Sequence, residues 1–193
     1  MKKSILAAIL PFLVTTASAA ENMTMDDIMA SKTEDAKAAM KQLGGSLKAE
    51  LQAAMKDGGP ISAISVCNKR APEIASDVSS EKGLEIGRVS LRNRNPSNAA
   101  EGWKKAVLED FEARKAAGES PDKLVFREIA EVNGDREFRM MKAIPAEKIC
   151  LTCHGTSIDP GLAAEIDSLY PGDKARGFSE GDLRGAFWVT SKL

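Results

Sequence analysis

Histidine and cysteine are scarce in this chain of 193 residues, which contains one histidine and three cysteines. A site held by two histidines of the same chain is therefore excluded, and a four-ligand zinc site is short of partners. Aromatic residues are also few, at 5 % of the chain, so the protein's own side chains provide little large, flat apolar surface.

Neither sign of charge dominates, because 27 lysines and arginines face 28 aspartates and glutamates, for a formal net charge of −1. This balance gives no reason to propose nucleic acid as a partner. The sequence contains no internal repeat and no low-complexity tract. Beyond the N-terminal segment, no stretch is apolar enough to span a bilayer.

The N-terminal residues 1–19 have the three parts of a secretory signal peptide. A basic start precedes an apolar run over 4–14, and a small-residue A-x-A pattern follows, which predicts cleavage after Ala19. An uncleaved membrane anchor is less favoured, because the apolar run is about half the length of a spanning helix. We therefore expect a periplasmic protein with no membrane span after cleavage.

The stretch Cys150-Leu151-Thr152-Cys153-His154 is the strongest signal in the sequence. C-x-x-C-H is the attachment motif of c-type haem: two thiols bond to the vinyl groups of one porphyrin, and the histidine lies under the iron as proximal ligand. C-x-x-C alone also occurs in redox dithiols and zinc sites, but no thioredoxin-like βαβ setting and no full set of zinc ligands are visible. The predicted export supports one covalent haem c, because bacterial c-type attachment takes place outside the cytoplasm.

The motif does not fix the ligand across the iron from His154. Cys67 is the one thiol left over, and an odd thiol in an oxidising compartment calls for an explanation. Helical spacing predicts that it lies on a buried helix face, as a distal thiolate ligand or as an inert buried cysteine. Met140 and Met141 are rival ligands whose simpler interpretation is core packing. Another weak ligand, or an open or water-bound position, completes the alternatives.

Hydrophobic periodicity predicts helices first and an antiparallel sheet afterwards, which is an α+β order with the haem motif between strands. A class I cytochrome c would be all-helical with its motif near the mature N terminus, so a different haem fold is expected. Helices are predicted over 25–56, 61–74, 99–117 and 162–169, and strands over 84–91, 124–132, 137–144 and 185–192.

Glycine and proline mark the expected breaks between these elements. The predicted breaks are a bend or a division into two successive helices at 44–45, a helix stop and restart at 57–60, a kink or split near Arg70 before Pro72, a loop over 79–83, a bulge at Gly87 and a hairpin turn at 133–135.

Several stretches resemble the cyanobacterial Tll-type c-type haem proteins, a family once described only as a domain of unknown function. The haem motif is shared with many proteins, whereas the stretches around Cys67 and around Arg94-Asn95-Pro96 are more specific. Together the matches cover most of the mature chain in the same order. They are Ala63–Cys67, Ala71–Ala75, Gly87–Asn98 with Trp103, Phe138–Pro145, Cys150–Gly155 and Tyr170–Phe178.

The resemblance implies a PAS-like haem domain with unusual His/Cys axial ligation, in which Cys67 is the distal ligand and His154 the proximal one. The expected architecture is α+β, with N-terminal helices packed on an antiparallel PAS-like sheet that encloses one haem. Under this interpretation 1–19 is the signal peptide, 20–59 an N-terminal helical segment and 60–193 the c-haem domain, the last two forming one compact unit.

Two propionate carboxylates on a mostly buried haem need basic or hydrogen-bonding partners. Four arginines flank the predicted core strands: Arg88, Arg92, Arg94 and Arg139. We choose Arg139 and Arg94 as the candidate propionate contacts, although each could equally be a solvated surface arginine.

A thiolate ligand stabilises ferric iron, so a low reduction potential and a one-electron redox carrier are expected. The alternative is a haem-based redox or gas (CO or NO) sensor that acts through a separate partner. No kinase or cyclase follows within these 193 residues, which favours the carrier. Peroxidase-like turnover is disfavoured because no second histidine is available as a distal acid or base. The expected partner is an unidentified redox or signalling protein, and a purely structural haem is a further alternative.

Overall fold

A computed structural model of the chain describes residues 23–193, so the predicted signal peptide lies outside the described residues. N-terminal helices pack on a four-stranded antiparallel sheet, which confirms the expected α+β fold class. The helices are α1 (Met25–Ser65), α2 (Ala71–Lys82), α3 (Gly102–Ala116), α4 (Leu151–His154) and α5 (Pro160–Leu169), and the strands are β1 (Glu85–Val89), β2 (Val125–Val132), β3 (Asp135–Pro145) and β4 (Leu183–Lys192).

The long helix α1 begins at a capping box formed by Thr24 and Asp27. The Thr24 hydroxyl accepts a hydrogen bond from the Asp27 N–H at 3.1 Å, and the Asp27 carboxylate accepts one from the Thr24 N–H at 3.0 Å. These two bonds satisfy N–H groups that have no partner within the helix, and they fix where α1 starts.

The predicted bend or division into two helices at 44–45 is wrong, because α1 continues through both glycines. A Cβ on Gly44 would lie 3.1 Å from the Phe187 ring of β4, so the glycine permits close packing of helix on sheet. The predicted stop and restart at 57–60 is confirmed by a kink at Gly59, whose φ is 69°, with Pro60 beginning the next segment.

A π turn over Val66–Arg70 joins α1 to α2, and Pro72 lies in the first turn of α2. The predicted split near Arg70 is therefore confirmed. The predicted loop over 79–83 is wrong, since α2 continues to Lys82 and ends at Gly83, which adopts a left-handed conformation with φ 63°.

The strand order in the sheet is β1-β4-β3-β2, so the last strand in sequence lies between β1 and β3. β2 and β3 form the predicted hairpin, and their two-residue turn has positive φ at both Asn133 (53°) and Gly134 (88°). This is the pattern of a type I′ turn, which matches the right-handed twist of paired strands.

The bulge predicted at Gly87 is absent, because β1 pairs with β4 in continuous register and Gly87 lies opposite Trp188. A Cβ on Gly87 would lie 2.8 Å from the Trp188 indole, so this glycine makes room for the ring. The register shift occurs instead between Ile144 and Pro145, at the end of β3.

The sheet buries both of its faces. One face packs against α1 and α2, and the other packs against α3. Among residues 23–193, no helix combines the length and the apolar composition that crossing a membrane requires. The buried members of the first core are Ala36, Ala39, Met40, Leu43, Ile74, Val78, Ile86, Phe138, Met140 and Val189, and those of the second are Val89, Val107, Leu108, Phe111, Leu124, Met141, Ala143, Leu183 and Ala186.

Candidate functional site

A cavity of about 250 Å³ is formed by α1, the π turn, the end of β1 and the segment that leads into α4. Its walls are mostly apolar, with several charged and amide side chains among them. All three cysteines and the only histidine of the chain line this cavity. The fold therefore brings Cys67 together with the C-x-x-C-H motif, from which it is far away in sequence.

Cys67 reaches the cavity from the π turn. A π turn has more residues per turn than an α-helix and is often found at functional sites. The Cys67 side chain is half-buried and packs, as Cys153 also does, against the apolar cluster at α5. The buried members of that cluster are Ile64, Leu162, Ile166 and Tyr170.

The C-x-x-C-H motif folds as a short 3₁₀ turn followed by the single turn of α4. Cys150, Cys153 and His154 are all half-buried and all line the cavity. Gly155 ends α4 and donates its N–H to the Leu151 carbonyl at 2.9 Å. A Cβ on Gly155 would lie 2.5 Å from that same oxygen, so a side chain there would disturb the motif.

The His154 ring is held in one orientation. Its Nδ1 lies 2.7 Å from the carbonyl oxygen of Ala175, and a carbonyl can only accept, so the Nδ1 carries the proton. The lone pair of the neutral ring is then on Nε2, which is how a metal-binding histidine is usually prepared. Burial, with added repulsion from Arg184 and Arg94, lowers the pKa of His154 to about 3, so the ring is neutral at physiological pH.

A buried ion pair supports the peptide that carries the histidine. Arg94 and Asp173 have side chains only 6 % and 2 % exposed, and their contacts are Nε–Oδ1 at 3.0 Å and Nη2–Oδ2 at 3.1 Å. The same Arg94 Nη2 donates to the Cys153 carbonyl at 2.7 Å and to the Ala175 carbonyl at 3.3 Å. Ala175 in turn accepts from His154, so the ion pair and the histidine share one hydrogen-bond network.

Asp173 is the anionic centre of this network. Besides Arg94, it accepts hydrogen bonds from the Arg176 Nε at 2.8 Å and the Ala175 N–H at 2.9 Å. Burial alone would raise the pKa of Asp173, but the hydrogen bonds from Arg94, Arg176 and the Ala175 N–H outweigh it and lower the pKa to about 2. Sequence patterns identified Asp173 only as part of a matching stretch and gave it no role.

The two predicted propionate contacts differ in position. Arg94 lines the cavity, although its guanidinium is already engaged by Asp173 and two carbonyls. Arg139 does not line the cavity; it pairs with Glu137 at 2.7 Å and Glu128 at 3.3 Å, and it lies over the Trp103 ring. The geometry gives no support to a propionate contact from Arg139.

The methionines predicted as rival ligands are buried away from the cavity. Met140 packs in the core beneath α1, and Met141 packs in the core beneath α3. Met55 of α1, by contrast, does line the cavity. Among residues 23–193, no group of three or more His, Cys, Asp or Glu side chains is arranged to hold a metal ion by itself.

Two further arginines reach the cavity without having been chosen from the sequence. Arg88 comes from the end of β1, and Arg184 comes from the start of β4. Arg88 was one of four candidates flanking predicted strands, and alternation along β1 places it on the face of the buried Ile86. Arg184 lies just before the predicted start of β4, and no sequence pattern indicated a role for it.

Comparison with known proteins agrees with this fold. A crystal structure of the cyanobacterial heme-protein Tll0287 matches with a TM-score of 0.63 at 20 % sequence identity, and the match covers 89 % of this chain and 98 % of that one. No curated protein matches the chain in sequence. The sequence model of the Tll0287-like family matches residues 14–191, which is most of the chain. The chain therefore belongs to the Tll0287-like family.

Proposed function

We propose that this chain is a mono-haem c-type protein of the periplasm and a one-electron redox carrier. Cys150 and Cys153 are its thioether attachment points, His154 is the proximal ligand and Cys67 is the distal ligand. One observation carries the proposal: all three cysteines and the only histidine line a single cavity. The structural match to the cyanobacterial heme-protein Tll0287 gives independent support.

The residues of the cavity fit a haem in chemistry. The volume of about 250 Å³ is close to the lower end of cofactor sites, which run from roughly 300 to 1,000 Å³. The apolar walls suit a porphyrin face, and the charged side chains suit carboxylates at its edge. The donor set offers a neutral imidazole with a free Nε2 and a thiol, both of which bind haem iron in proteins.

The haem, when bound, supplies a one-electron Fe(III)/Fe(II) couple. The protein's contribution is to hold the imidazole through the Ala175 carbonyl and to shield it from solvent. Cys67 contributes a thiolate, whose strong electron donation favours the ferric state and lowers the reduction potential relative to a His/Met pair. Two strong ligands from the chain also leave no position at which substrate chemistry could begin, which suits a carrier.

The periplasmic location rests on the N-terminal pattern of 1–19 together with the attachment motif. Covalent haem attachment in bacteria needs an exported chain, and ligation by iron would protect the Cys67 thiol from oxidation in that compartment. The predicted signal peptide and the use made of all three thiols therefore support each other.

A haem-based redox or gas sensor is the second candidate, and the π turn favours it. The Cys67 ligand lies in a segment whose geometry is less regular than the helices on either side. A change from π to α geometry over Val66–Arg70 would turn Cys67 relative to the cavity and open the site to CO or NO. The output would then pass to a separate signalling partner.

The test is the optical and EPR spectrum of the oxidised and reduced holoprotein, with wild type beside Cys67→Ser. We expect covalent haem in both proteins by the pyridine haemochrome assay, and a low-spin ferric thiolate signal that only the wild type shows. Loss of the thiolate is expected to raise the reduction potential. A Met55→Leu variant, which removes the methionine sulfur that lines the cavity, serves as the matched control and keeps the wild-type spectrum.

Two outcomes would refute parts of the proposal. A wild-type protein without covalent haem refutes the cofactor assignment, and an unchanged spectrum in Cys67→Ser refutes the distal ligand. CO added to the reduced wild type then separates the two functions: rapid binding favours the sensor, and absence of binding favours the carrier.

A further inference from the structure

Three guanidinium groups border the cavity, and they are not equivalent. Arg94 is only 6 % exposed, and its hydrogen-bonding capacity is directed at Asp173 and at two backbone carbonyls. It is therefore a structural cation whose charge is already balanced. The other two, Arg88 and Arg184, have no carboxylate partner among residues 23–193.

Arg88 has fewer polar contacts than Arg184. It lies at the end of β1, opposite Phe187 of β4, which also lines the cavity. Its guanidinium makes no hydrogen bond and no ion pair with any side chain or carbonyl of the described residues. Burial lowers the pKa of Arg88, and attraction from the neighbouring Cys67 and Tyr170 only partly opposes this effect.

Arg184 has hydrogen bonds but no neutralising charge. Its Nη1 lies 3.2 Å from the Ser90 hydroxyl and 3.4 Å from the Arg92 carbonyl, which orient the head group. Burial lowers the pKa of Arg184 to about 10, and repulsion from Arg94 and Arg88 acts in the same direction. Both contacts are neutral, so the guanidinium keeps its full charge.

The charges of the cavity wall can be counted in pairs. Lys48 and Glu147, which both line the cavity, form an ion pair at 2.7 Å and cancel. Arg94 is cancelled by Asp173. Among the Lys, Arg, Asp and Glu side chains of the wall, the positive charges of Arg88 and Arg184 remain, in a place where an isolated charge is costly. A ligand that carries two carboxylates would neutralise both.

We propose that Arg88 and Arg184 together form the carboxylate-binding site of the cavity and hold the two propionates of the haem. This assignment rests on the proposed function, and it replaces the pair Arg139 and Arg94 that the sequence suggested. Guanidinium groups suit this task because each offers a planar fork of N–H donors to a carboxylate.

The test uses the holoprotein matured with covalent haem and follows ionisation of the propionates. Resonance Raman spectra of the propionate bending modes and the pH dependence of the midpoint potential both report this ionisation. In wild type, both carboxylates are expected to titrate below the ordinary range of about 4 for a carboxyl group. Arg88→Gln and Arg184→Gln are each expected to raise one propionate pKa by roughly one to three units, because an opposite charge is lost.

Two further variants make the result specific. Arg139→Gln removes a cation that lies outside the cavity, and it is expected to leave the propionate pKa unchanged. Arg88→Lys keeps the positive charge, and it is expected to keep the propionate pKa nearer to wild type than Arg88→Gln does.

The outcomes separate this assignment from the proposed function. A wild type whose propionates titrate in the ordinary range overturns the assignment without any variant. Attached haem with wild-type propionate pKa values in both glutamine variants also overturns it alone. A wild type that carries no covalent haem overturns the proposed function and this assignment together, and the pyridine haemochrome assay reports that first.

Discussion

Replacing Asp173 by Asn would test whether the buried ion pair with Arg94 supports the histidine of the motif. The substitution keeps the size of the side chain and removes its charge. Arg94, 6 % exposed, would then be a buried cation without a counter-charge. Four donors that now point at a carboxylate would instead meet an amide whose NH₂ group cannot accept.

The magnitude follows from two independent estimates. The folded-state pKa of about 2, against an ordinary value of 3.8, corresponds to about 2 kcal/mol of stability from the ionised carboxyl at neutral pH. Breaking a buried ion pair by removing one partner typically costs about 3–5 kcal/mol. We therefore expect Asp173→Asn to lower the free energy of unfolding by roughly 2–4 kcal/mol at pH 7.

The pH dependence has a definite sign. Because the pKa of Asp173 is lower in the folded protein, its contribution is complete above about pH 4 and is lost as the pH falls towards 2. Wild type and Asp173→Asn should therefore differ most at neutral pH and converge in acid. Urea denaturation followed by circular dichroism, from pH 2 to pH 7, measures this difference.

Asp167→Asn is the matched control. Asp167 contacts the same Arg176 at 2.5 Å, but its side chain is 67 % exposed, so its loss should cost less than about 1 kcal/mol. Equal costs for the two substitutions would refute the role given to burial. A large cost for Asp173→Asn that does not shrink in acid would refute the role given to charge.

Two glycines of the sheet give further predictions, and both have a common control in Gly45, whose Cβ would meet no atom within 4 Å. Gly185→Ala would place a Cβ 2.3 Å from the Val89 carbonyl, so the free energy of unfolding should fall by roughly 1–3 kcal/mol in urea denaturation. Gly87→Ala would press on the Trp188 indole, and it should lower the thermal midpoint and alter the near-UV circular dichroism. Gly45→Ala in the interior of α1 should be neutral or stabilising by up to about 1 kcal/mol, and a loss equal to that of Gly185→Ala would contradict the steric argument.

The features that were predictable from sequence are local ones. The hairpin at Asn133-Gly134 depends on two residues that tolerate positive φ, and the break at Gly59-Pro60 depends on the same kind of local chemistry. Gly44 was predicted to be a break because its role depends on a contact that the local sequence does not show. This glycine packs against Phe187, which is far away in sequence. The position of β4 between β1 and β3 likewise depends on tertiary contacts, which no local sequence pattern predicts.

The candidate site divides in the same way. The C-x-x-C-H motif is contiguous, so spacing alone predicts its chemistry, and the structure places Cys67 in the same cavity. The arginines could not be ranked, because their roles depend on strand register and on which carboxylates lie nearby. Arg139 faces Glu128 across the hairpin, whereas Arg88, two strands away from Arg139 in the sheet, lies at the cavity without such a partner.

The position of β4 also has a consequence for the order in which the chain can complete its structure. β1 pairs with β4, and the β2–β3 hairpin is linked to β1 only through β4. The chain is synthesised from its N terminus, so a chain that has not yet reached residues 183–192 cannot form the complete sheet. The two thiols of the motif, at 150 and 153, thus come out before the sheet that encloses their cavity can close.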